Sequence, residues 1–269
     1  MQAPPGLKGV IVADTTIGKV RGDEGFYHYR EYDASELART RSVDEVVALL
    51  LHRALPPDGP VVELGPLRGL PPEVAAVVDL YAEFSSDALS VIRAALLALA
   101  EIEQHQPVLD VDGERRRANA VRLMAVVPTI VARHYRRRQG LDPIEPDPAL
   151  GHASDYLRMA TGELPEEAKE RAVEKYLVAT IDHGFNASTF TSRVVASTGA
   201  SVAGSIVAGL GALSGPLHGG APGRALSMIE QIGDAANART WVHAQLDAGN
   251  KIMGFGHACL LYTSDAADE

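Results

Sequence analysis

Residues 182–226 read DHGFNASTFTSRVVASTGASVAGSIVAGLGALSGPLHGGAPGRAL, and this stretch decides the fold class. Start and stop signals predict helices over 188–198 and 201–213, with a further one over 222–232. The weakly polar run 194–213 is interrupted by Ser197, Thr198, Ser201 and Ser205 and by four glycines. That composition argues against a membrane span and for a buried pair of helices.

Working outward, the helical pattern continues in both directions. Ser42 and Glu45 make a capping box, and Val43, Val46, Val47, Leu50, Leu51 and Ala54 follow at helical spacing on one face. Leu89, Ile92, Leu96 and Leu99 form a second stripe, beside which Ala94, Ala95 and Ala98 leave room for a close helix neighbour. Residues 114–139 read as one long helix bent near Pro128 and stopped by Gly140. Arg136, Arg137 and Arg138 lie in its last turn, where cations complement the helix dipole, so they are expected to be structural rather than phosphate-binding. Helices are also predicted over 165–181 and 238–248. Only the front, residues 1–35, mixes β-branched residues with glycines in the manner of short strands or hairpins. The expected fold is mainly α with a small N-terminal β element.

The chain has 269 residues, 46% hydrophobic and 22% charged, which suits one large core or two modest ones. A formal charge of −10 lacks the basic excess of a nucleic-acid binder. The N-terminus shows no secretory pattern and the single Cys259 has no intramolecular partner, so a cytoplasmic location is expected.

Three histidines sit in glycine-bearing segments where helices end or begin: Asp182-His183-Gly-Phe-Asn186-Ala-Ser188, Gly215-Pro-Leu-His218-Gly-Gly-Ala221 and Gly254-Phe-Gly256-His257-Ala258. Glycine beside histidine lets a ligand approach the backbone. One such segment alone reads as a helix cap or a packed side chain; three in one chain read as a site. The run Gly199-Ala-Ser201-Val-Ala-Gly204 has one residue too many for a nucleophile elbow and no strand before it. Gly209, Gly211 and Gly215 lack the spacing of a dinucleotide-binding turn. A zinc site from His183, His218 and His257 has no short-range ligand spacing to support it.

The front segment GLKGVIVADTTIG…VRGDEGFYHYREY, the central DHGFNASTFTSRVVASTGAS…GALSGPLHGGAPGRAL and the later KIMGFGHA resemble, in order and separation, the citrate synthase family of the smaller bacterial and archaeal type. The resemblance covers residues 6–258. It implies a large helical domain and a small domain closing over acetyl-CoA and oxaloacetate, a homodimer with paired helices at its interface, and no cofactor or metal. By the same resemblance, residues 36–258 form the helical domain with the start of the small one. His218 would donate to the thioester oxygen, and His257 would bind the oxaloacetate carbonyl and act as acid there. His183 would hold oxaloacetate, and Ser188, with Asn186 in the same turn, would orient His218. Lys251, Ile252, Met253, Gly254, Phe255 and Gly256 would line the adenine end of CoA. Propionyl-CoA, as in 2-methylcitrate synthases, is the alternative substrate, and a non-catalytic helical metal-binding or scaffold protein is the alternative of another class.

After Ala258 the pattern departs from the family. Leu261 and Ala266 stand where carboxylate-binding arginines are expected, and residues 259–269 read like translated sequencing adapter, a non-native tail. The family's catalytic aspartate would follow that point, so the chain as given is expected to be inactive.

Overall fold

The computed structural model describes residues 13–21, 24–56, 61–216 and 218–253. Three short antiparallel strands in sequential order, β1 Gly18–Arg21, β2 Phe26–Tyr29 and β3 Tyr32–Asp33, open the fold. Helices follow: α1 Ala34–Thr40, α2 Val43–His52, α3 Pro72–Phe84, α4 Ala88–Ile102, α5 Gly113–Ala125 and α6 Val127–Arg138. The remainder are α7 His152–Thr161, α8 Glu167–Thr180, α9 Ala187–Ser197, α10 Val202–Leu213, α11 Ala221–Ile232 and α12 Ala238–Asp247.

The capping box forms as expected: Ser42 Oγ accepts from Glu45 N–H while the Glu45 carboxylate accepts from Ser42 N–H at 2.9 Å. The buried face of α2 is Val43, Val46, Val47, Ala48 and Leu49, with Leu50 and Leu51 only half-buried. The expected helix over 114–139 is instead two helices that break at Val126. Pro128 lies in the first turn of α6, where a missing N–H costs nothing; continued through, its ring would clash with the preceding turn. Gly140, at φ +71°, ends α6 as expected: its N–H reaches Arg137 O, and that of Leu141 reaches Arg136 O, the paired bonds of a Schellman turn. The three terminal arginines of α6 are occupied structurally. Arg136 donates to Asp142 O, Arg137 pairs with Asp79 and Asp142, and Arg138 donates to Ala82 O and Ser85 O.

Two apolar centres hold these elements. One joins Tyr29 of β2, α1, α2, Val178 of α8 and one side of α5 through Val121 and Ala125. The other joins α3, α4, Ile130 of α6 and Ala203 of α10 to Leu123, on another side of α5. The α5 helix therefore ties the two together, and the strands share a core with the helices. Between α6 and α8, the fully buried Arg68 guanidinium pairs with Asp155 of α7 at 3.0 Å, and Arg158 clamps the same carboxylate at 2.7 Å.

Helices α9 and α10 pack as an antiparallel pair. A Cβ on Gly209 would stand 2.1 Å from Ser192 Oγ and 3.1 Å from Ser188 O, so only glycine allows this approach. Among the described residues no helix is long and apolar enough to cross a membrane.

Candidate active site

The site grows from the turn that joins α8 to α9. Asn186 is the N-cap of α9: its Oδ1 accepts from Thr189 N–H at 2.9 Å and so satisfies one of the free donors of the first turn. That same oxygen is 2.7 Å from Ser188 Oγ. Ser188, in the first turn of α9, faces the far end of α10, because the two helices run antiparallel and tightly together. The chain leaving α10 turns at Gly215 and delivers His218, whose Nε2 lies 2.9 Å from Ser188 Oγ. Residues 30 positions apart in sequence thus form a continuous Asn186–Ser188–His218 chain of hydrogen bonds.

The neighbouring Asp182-His183-Gly184 turn is held differently. Asp182 Oδ2 accepts from Gly184 N–H at 3.1 Å. Burial pushes the Asp182 carboxyl above its usual range, opposed by that bond and by the His183 ring. His183 is exposed, with its ring edge-on to Tyr27 of β2 at 5.8 Å between centroids. The Phe185 ring lies tilted against Phe190 at 5.9 Å between centroids, and the Arg193 guanidinium sits 4.8 Å over the Phe185 ring, which anchors the turn to α9.

From Ser188 a groove of about 390 Å³ runs between α9 and α10, floored by Ala196, Ile206, Gly209 and Leu210. The structure therefore brings together Asn186, Ser188 and His218, with His183 on the same turn as Asn186. Lys251, Ile252 and Met253 follow α12, the lysine exposed and the other two half-buried. Gly254, Phe255, Gly256 and His257 lie outside the described residues, as does the predicted tail over 259–269. Among the described residues no group of three or more His, Cys, Asp or Glu is placed to hold a metal ion. Sequence reading missed the contact of Tyr27 with His183: nothing along the chain links residue 27 to residue 183, and the aromatic run Phe26-Tyr27-His28-Tyr29 is the one signal near it.

This geometry joins His218 to the capping network of α9 at the end of a groove, with the exposed His183 on the turn that carries Asn186. Comparison with known proteins gives it a family. The family model described as "Citrate synthase, C-terminal domain" matches residues 6–265. The 2-methylcitrate synthase of Mycobacterium tuberculosis is 39% identical over 255 residues, covering 94% of this chain and 64% of that protein. A citrate synthase of Mycolicibacterium smegmatis is also 39% identical, covering 94% of this chain and 67% of that protein. The chain thus spans about two thirds of the length of these relatives. A solved ternary complex of carboxymethyl coenzyme A and oxaloacetate with the citrate synthase of Thermoplasma acidophilum superposes with a TM-score of 0.84 at 26% identity, covering 95% of this chain and 68% of that one. On the family match and these relatives, the chain belongs to the citrate synthase family.

Proposed function

We propose that this chain carries the His218 and His183 half of a citrate synthase active site, condensing acetyl-CoA with oxaloacetate to citrate and CoA at the entry to the tricarboxylic acid cycle. The observation that carries the reading is the 2.9 Å contact of Ser188 with His218 at the mouth of the α9–α10 groove. Removing a proton from the acetyl methyl group places negative charge on the thioester oxygen. A fixed N–H aimed at that oxygen stabilises the charge where it develops. His218 is that donor: its Nε2 edge is taken by Ser188, which leaves Nδ1 for the ester. His183, exposed on the turn that carries Asn186, holds oxaloacetate. His257 completes the site as acid on the oxaloacetate carbonyl, and Lys251 to Gly256 contact the adenine end of CoA through their backbone.

The Ser188–His218 pair continues to Asn186, whose Oδ1 also accepts from Thr189 N–H. The base for the methyl proton is assigned to an aspartate, which the family places C-terminal to the position of Ala258. The functional unit is a homodimer paired through α4, α5–α6 and α9–α10, and the exposed Leu97 and Val194 on α4 and α9 support that reading. We place it in the cytoplasm, with residues 1–35 as the β region, 36–258 as the helical domain and 259–269 as a non-native tail.

Equal identity to a 2-methylcitrate synthase and to a citrate synthase supports propionyl-CoA as the second reading. One methylene is worth only about 1–3 kcal/mol of discrimination in an apolar pocket. The test joins residues 1–258 to the C-terminal third of the M. smegmatis relative and follows CoA release with oxaloacetate and either thioester. Turnover with acetyl-CoA supports citrate synthesis, and faster turnover with propionyl-CoA supports the second reading. No release with either ester overturns both.

A further inference from the structure

We propose that the N-terminal hairpin is a positioning element for His183, with Tyr27 as the residue that transmits it; this rests on the assignment of oxaloacetate to His183. In the β1–β2 register Gly18 faces Tyr29 and Val20 faces Tyr27. Directly opposed residues share a face of a sheet, so these four form one surface, while Lys19 and Arg21 point to solvent.

That surface meets the end of α8 and the turn after it at successive points. Tyr29 donates to Val178 O and Tyr27 to Ala179 O, each at 2.8 Å. These are carbonyls of the last turn of α8, where the ladder of helical hydrogen bonds runs out; Val178 O also takes a long 3.5 Å bond from Ile181 N–H. Asp182 N–H then points back at the Tyr29 hydroxyl at 3.5 Å. A Cβ built on Gly18 would be 3.3 Å from Asp182 Oδ2, and one on Gly184 would be 3.3 Å from Val20 Cγ2. Between these contacts the Tyr27 ring lies edge-on to His183 at 5.8 Å and 74° between planes, a favourable aromatic geometry. The turn is thus braced on both sides of His183, and Tyr27 both fixes the helix end and touches the ring. Packing of this kind favours one orientation of an exposed imidazole before a ligand arrives.

The experiment uses Tyr27→Phe, which keeps the ring and loses the hydroxyl bond, and Tyr27→Met, which loses both, in the full chain. Two quantities are measured: the His183 side-chain NMR signals and the oxaloacetate dissociation constant by calorimetry. Tyr27→Met is expected to move the His183 signals and weaken binding about tenfold, and Tyr27→Phe to weaken it about threefold. Both losses should vanish in a His183→Ala background, because a residue acting through His183 has nothing left to position. His183 signals that stay in place in Tyr27→Met, or losses of the same size with and without His183, overturn the proposal. If Tyr27→Met does not fold, the Tyr27→Phe cycle with His183→Ala decides by the same rule. Absence of oxaloacetate binding in the unsubstituted chain overturns the ligand assignment instead, and the NMR comparison alone then decides whether the hairpin positions the ring.

Discussion

Ser188 Oγ lies 2.9 Å from His218 Nε2, and the same oxygen lies 2.7 Å from Asn186 Oδ1. One hydroxyl proton faces two acceptor positions. The Asn186 amide cannot turn over without giving up its bond from Thr189 N–H, so its oxygen is fixed toward the serine. The direction of that single proton decides which nitrogen of a neutral His218 carries hydrogen.

In the ligand-free chain the Ser188 proton is expected to point at Asn186, since two oxygens at 2.7 Å need a proton between them. His218 then donates from Nε2 and holds a lone pair at Nδ1. A thioester at Nδ1 needs the opposite arrangement, so binding a CoA ester should turn the serine and move the ring proton to Nδ1. Nitrogen-15 NMR of labelled histidine reads the tautomer directly. An Nδ1-protonated His218 in the free chain would contradict this account.

Gly209→Ala should damage stability and the site together. The new methyl meets Ser192 Oγ and the backbone oxygen of Ser188, and backbone gives way less readily than a side-chain tip. Overpacking of this kind costs about 1–3 kcal/mol. Separation of α9 from α10 should also lengthen the Ser188–His218 contact and shift the His218 signals. A variant with unchanged melting temperature and unchanged His218 signals would show that the helices do not need this approach.

In the chain completed with a relative's C-terminal segment, His218→Ala should lower kcat by about 100-fold or more, the usual effect of removing a donor to developing charge. Its KM for oxaloacetate should change little. His183→Ala should chiefly raise that KM. Equal effects of the two substitutions on both parameters would count against the division of roles.

Acid should loosen the core through His152, which burial and the nearby Arg68 cation lower from 6.5 to about 4. Between those values the unfolded chain binds more protons than the folded one, so this contribution is present above about pH 6.5 and is lost as pH falls. From pH 7 to pH 5 the loss is about 2 kcal/mol. Asp44 and Glu174, which burial pushes up, act with the opposite sign. Urea unfolding of the parent and of His152→Gln at both pH values isolates the histidine. A pH dependence that survives in His152→Gln would assign it elsewhere.

Asp155→Ala should be among the most damaging single changes. Asp155 and Arg68 are both essentially inaccessible to solvent, and removing the carboxylate strands the buried guanidinium. Breaking such a pair costs about 3–5 kcal/mol. Denaturant unfolding measures it, and a loss below about 1 kcal/mol would mean that water or a neighbour replaces the carboxylate.

Local rules in the sequence determined where most helices begin and end. Ser42 with Glu45, Asn186 ahead of Ser188, and Gly140 after the arginine run are short-range signals, because caps and turns are made by residues within a few positions of one another. The motifs around His183 and His218 were equally legible. Helices α1, α3 and α7 escaped sequence reading, although Val74, Val78 and Ala82 line one buried face of α3 and Gly151 and Gly162 bracket α7. The break at Val126 was misread as a bend, since the sequence shows where a proline falls but not whether the chain closes over it or starts again. Only the tertiary structure decided the 2.9 Å meeting of Ser188 with His218, the placement of Tyr27 against His183 and the burial of Arg68 on Asp155. Each joins residues separated by 30 positions or more, and such contacts depend on how close two elements can pack, which no local pattern encodes.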